Sequence, residues 1–144
     1  MRYMLIVKAT KQSEAGVKPN RQLMDEMASF NESLTEAGVL LAAEGLQPSS
    51  SGLRITYSEY GEKPNVVVGP FAEVKGIIAG YTLIDVKSEE EAIAFAMRMP
   101  NPAYGGEGEI ELRLLLEDTN LLQGSRMMAL EADLRDQIDI LNKS

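Results

Sequence analysis

The chain has 144 residues, enough for one domain with a real hydrophobic core, and 44% of them are apolar. Its formal net charge of −8 argues against nucleic acid and anionic membrane surfaces as partners, because both demand basic patches. Cysteine and histidine are absent, which excludes disulfides, thiol nucleophiles, an imidazole base or haem ligand and the commonest zinc ligands; only magnesium or calcium would suit the remaining oxygen donors, and no metal or cofactor is expected.

No apolar run approaches the ~20 residues that span a bilayer. Residues 1–7 therefore read as the start of a strand rather than a signal segment, and a cytoplasmic location is expected. Residues 3–9 are apolar on both faces except at Lys8, the pattern of a strand inside a sheet with both faces covered. A polar loop over 10–18 follows. A helix then opens at Pro19 or Asn20, carries Leu23, Met27, Phe30 and Leu34 at helical spacing, and stops at Gly38.

Residues 39–47 predict a second strand, broken by Pro48 and the serines 49–51. Residues 53–58 and 65–68 predict a hairpin. The run Val66-Val67-Val68 then meets Gly69-Pro70. Glycine permits backbone angles closed to other residues, and proline fixes φ and removes a donor. The pair predicts a rigid corner that aims Phe71, Glu73 and Lys75 in set directions. Residues 81–86 are another strand. Ser88-Glu89-Glu90-Glu91 is a capping box that opens a second helix, with Ala92, Ile93, Ala96 and Met97 as its apolar side. Pro100 and Pro102 end it. Gly105-Gly106-Glu107-Gly108 has no Gly-Lys-Ser/Thr element and precedes a strand, so it is a flexible turn and not a phosphate loop. The last strand, 110–116, alternates Ile110, Leu112, Leu114 and Leu116 against Glu109, Glu111 and Arg113. Residues 120–142 predict a third, amphipathic helix with Met127, Leu130, Leu134 and Leu141 in its stripe.

Without the hairpin the order is β-α-β-β-α-β, an α+β ferredoxin-like arrangement with two helices on one face of an antiparallel sheet. The first strand is apolar on its other side too. A second copy packed sheet to sheet is the simplest cover, so a homodimer is expected.

The corner, with Gly80-Tyr81-Thr82-Leu83-Ile84-Asp85 after it, resembles the signature of the YCII-related family in its DGPF-domain branch. Tyr3-Met4-Leu5-Ile6, Gly38-Val39-Leu40-Leu41, Glu44-Gly45-Leu46-Gln47-Pro48 and Glu109-Ile110-Glu111-Leu112-Arg113 extend the resemblance. It implies a dimeric α+β barrel domain over 1–117, with a polar pocket inside, followed at 118–144 by a C-terminal amphipathic helix that packs on its own domain or on the partner subunit. Family members of the YCII type are associated with a His-Asp pair. Here Val68 stands where the branch carries its naming aspartate, and there is no histidine, so both of those polar groups are missing.

From the residues themselves, Glu44 interrupts an apolar strand and reads either as a buried acid-base group or as a structural ion pair with Arg54 or Arg113. Arg113 on the helix-free face either grips a carboxylate or phosphate or pairs with Glu111 or a partner's glutamate. Arg54, Phe71 and Tyr81 join it as ligand-binding candidates. Glu73 and Lys75 share a side if their segment is extended, framing a pocket mouth or forming a solvated ion pair. Two functions follow. One is a small-molecule-binding barrel, with or without an enzyme activity of undefined reaction. The other is a non-catalytic regulatory or interaction module, a reading that DGPF relatives associated with sigma factors support.

Overall fold

The computed structural model describes residues 1–116 together with 134, 135, 137, 138, 140 and 141. Strand β1 (Arg2–Lys8) leads through a short helix α1 (Lys11–Glu14) to α2 (Arg21–Glu36) and strand β2 (Leu40–Gly45). A hairpin of β3 (Leu53–Thr56) and β4 (Asn65–Val68) follows, then β5 (Ile78–Asp85), α3 (Glu89–Met97) and β6 (Ile110–Leu114). The main sheet runs β2-β5-β1-β6 with every pairing antiparallel. That is the ferredoxin-like order, with the β3–β4 hairpin forming a separate two-stranded sheet.

The local chemistry explains each boundary. Asn20 caps α2 by accepting the Leu23 N–H at 2.8 Å, and Gly38 adopts a left-handed φ of 73° just past its end. Ser88 caps α3, accepting the Glu91 N–H at 3.1 Å. The Glu91 carboxylate returns the bond one residue further out, to the Lys87 N–H at 3.2 Å. One expectation fails at 10–18. The segment is not all loop, because Thr10 and Ser13 cap each other reciprocally and wind 11–14 into a helical turn. β5 also begins at Ile78, three residues before its predicted start. The predicted helix over 120–142 falls largely outside the described residues; those described within it are helical.

The core lies between the sheet and α2 and α3. Leu5, Leu34 and Ile84 are fully enclosed, with Tyr3, Phe30, Val39, Val86 and Ala92 around them. α2 contributes Leu23, Phe30 and Leu34 as its stripe predicts. α3 departs from expectation in part. Ala92 and Ala96 face the core as expected, joined by Phe95 and by Met99 just past the helix end, while Ile93 and Met97 are exposed. The helix is apolar on most of its surface, so composition does not choose the face, and contact with the sheet does. Burial, with help from Glu89 and Glu90, holds the Tyr3 phenol above its ordinary pKa.

Candidate functional site

Strand alternation sorts the sheet into two faces. In β1, Tyr3 and Leu5 meet the helices, so Met4, Ile6 and Lys8 face away from them. The register extends this helix-free face across four strands. One row reads Ala42, Leu83, Met4, Arg113, and the next reads Glu44, Tyr81, Ile6, Glu111. The middle of the face is apolar and its two edges carry charge. None of these side chains is fully buried, whereas the helix-side residues opposite them form the core.

At the β6 edge, Lys8 Nζ lies 2.7 Å from Glu111 Oε2, and Arg113 Nη1 lies 3.6 Å from Glu111 Oε1. The hydrogen bond from Lys8, then the Lys8 charge, and to a smaller extent Arg113 hold the Glu111 carboxyl below its ordinary value of 4.5, against the opposing pull of burial. A lowered carboxyl pKa stabilises the fold at pH above the unfolded value and loses that contribution as pH falls through the folded one. Lys8→Met is therefore expected to melt below the wild type at pH 7, with the gap closing as the pH drops below about 4.5, near the ordinary glutamate pKa. Thermal melts at pH 7 and pH 3 check this; a gap that stays constant across that range contradicts it.

Glu44 stands on the other edge strand. It is exposed in the single chain and not buried as expected. It directly faces Tyr81 across the β2–β5 pair. Arg113 is on β6, three strand spacings away, or roughly 14 Å at ~4.8 Å each, so the predicted Glu44–Arg113 ion pair does not form within one chain. Arg113 takes Glu111 instead. Arg54 does not pair with Glu44 either: its guanidinium stacks over the Phe71 ring, 4.0 Å from the centroid.

That stack belongs to a second region, the corner. Ser49, almost fully buried, ties it together. Its N–H donates to the Glu14 carboxylate at 2.8 Å, and its Oγ accepts the Phe71 N–H at 3.0 Å. Gly69 donates its N–H to the Gly52 carbonyl at 3.0 Å, and the Gly69–Pro70 bond is cis. An open cleft of about 350 Å³ lies beside the stack, lined by Leu46, Gln47, Ser51, Arg54, Phe71 and Ile78 among others. The expectation for Glu73 and Lys75 is corrected here. Val74–Gly76 is a turn of 3-10 helix, so the segment is not extended and the two exposed side chains do not share a side by alternation. Glu14 and Ser49 lie where the residue pattern predicts only a loop and a strand break; the Thr-x-x-Ser spacing at 10–13 is the available signal for the first.

The YCII-related domain matches residues 1–115 of the chain. The chain belongs to the YCII-related family. It is also 33% identical over 96 residues, 67% of its own length and 75% of the other's, to an uncharacterized protein of Rhizobium meliloti (strain 1021). For this YCII-related chain, the chemistry is left to the residues above. Among the described residues, no cluster of carboxylates is placed to hold a metal ion, and no helix is long and apolar enough to cross a membrane.

Proposed function

We propose that this chain acts as a cytoplasmic homodimer of the dimeric α+β barrel type that binds a small molecule between the helix-free faces of two sheets. The observation that carries the reading is the layout of that face: an apolar centre of Met4, Ile6, Tyr81 and Leu83, with the Glu44 carboxylate at one edge and the Lys8–Glu111–Arg113 set at the other. These four apolar side chains are only half-buried in the single chain; an apolar sheet face left partly in water favours a further cover, and a second copy is self-complementary to it. In such a compartment Glu44 is the acid-base candidate, and Arg113 and Tyr81 are the groups that would orient a carbonyl or anionic ligand. The Gly69-Pro70-Phe71 corner supports placement in the DGPF branch despite Val68.

The alternative, a regulatory or protein-interaction module, draws on a different surface. Leu53, Ile55, Val66 and Val68 share one face of the β3–β4 hairpin, and all four are exposed. Light scattering decides the first point. The expected mass is twice the 15.8 kDa of one chain. Ile6→Glu, at the centre of the face, is expected to return the single-chain mass with helical content intact. A wild type that stays at the single-chain mass at all concentrations refutes the dimer, and with it the shared compartment.

A further inference from the structure

We propose that the cleft beside the Arg54–Phe71 stack is a second binding site, for a small organic monocarboxylate with an apolar body. It does not rest on the barrel compartment or on dimerisation. Three observations carry it. First, Arg54 presents a cation that no described carboxylate approaches within ion-pair distance, and its stack on Phe71 leaves the edge of the guanidinium, where its N–H groups lie, open to a ligand. Second, the cleft has the volume of a small-ligand site, about 350 Å³, and aliphatic walls that water covers without a partner: Leu46 and Ile78 are 53% and 41% exposed. Third, its base is held before any ligand arrives. Phe71 is pinned through its N–H to Ser49, and Ser49 is pinned in turn to Glu14. A preformed site spends little binding energy on ordering itself.

The charge count selects the ligand class. Among the described residues, Arg54 is the one cation lining the cleft, and the Glu14 carboxylate lies just behind Ser49. One guanidinium matches one carboxylate in a two-bond fork. A phosphate dianion would meet a single positive group and a nearby negative one. The Gln47 amide and the Ser51 hydroxyl at the rim can serve a further polar atom of the ligand.

The test is an amide and arginine side-chain NMR titration of the full chain with hexanoate, with hexanol and inorganic phosphate as parallel arms. Hexanoate is expected to shift the Arg54 Nε–H and the Gly52 and Phe71 amides saturably, with hexanol and phosphate at least about tenfold weaker. Arg54→Gln is expected to weaken hexanoate binding about tenfold or more while the remaining spectrum holds. Ser51→Phe, which fills the cleft and leaves the guanidinium in place, is expected to abolish it. Failure of hexanoate to saturate, phosphate binding as tightly as hexanoate, or unchanged binding in either variant each overturns the proposal.

Discussion

Gly69→Ala is expected to cost about 3 kcal/mol or more and to lower the melting temperature by roughly 10 °C. A Cβ at residue 69 would fall inside the van der Waals envelope of the Ser49 carbonyl and 3.3 Å from that of Gly52. Both obstacles are backbone, so no rotamer change relieves them. The Ser49 carbonyl already accepts the Gly52 N–H at 2.9 Å, and the Ser49 N–H is committed to Glu14. Relief therefore means pulling β4 away from the turn at 49–51. The amides of Gly69 and Phe71, which depend on that approach, should exchange faster with solvent in the variant. Gly76→Ala is the control. Nothing lies within 4 Å of a Cβ there, so a change within about 0.5 kcal/mol is expected. If the two variants melt together, the close approach at Gly69 is not a feature of the folded protein.

Leu34→Ala is expected to destabilise by about 3–4 kcal/mol, measured by chemical denaturation. Leu34 has no exposed surface and sits in the cluster with Leu5, Phe30 and Ile84, where α2 meets the sheet. Removing its side chain leaves a void walled by groups that already have fixed neighbours, so transfer and cavity costs add. Met24→Ala on the outer side of the same helix should change stability by no more than about 0.5 kcal/mol, because Met24 is 57% exposed. Equal losses at the two positions would mean that α2 turns a different face to the sheet.

Much of this fold was legible in the residues. The stripe of Leu23, Phe30 and Leu34, the caps at Asn20 and Ser88, and the stop at Gly38 each follow from local rules that need no distant partner. The apolar side expected of α3 is half right: Ala92 and Ala96 face the core, but Ile93 and Met97 are as apolar as Phe95 and Met99, and only contact with the sheet ranks them. The candidate site was legible in part. Arg113 reads as facing away from the helices from the alternation in its own strand, and the register with β1 places it there. Its distance from Glu44 depends on strand order, which alternation does not encode. Glu73 and Lys75 failed because their argument needed an extended backbone, and three residues of 3-10 turn intervene.

Local pattern is enough to assign the strands and the helices α2 and α3, where most of them end, and the turn at Gly69-Pro70, though not the short α1, because periodicity, capping and backbone sterics act over a few residues. It takes the folded chain to show that Glu44 and Arg113 lie on opposite edges of one sheet, that Lys8 joins Arg113 on Glu111, and that Arg54 lies over Phe71. Apart from Arg113 and Glu111, neighbours on one strand whose pairing alternation already allows, these juxtapositions join residues far apart in the chain, and they are fixed by strand order and by burial of the common core rather than by any local preference.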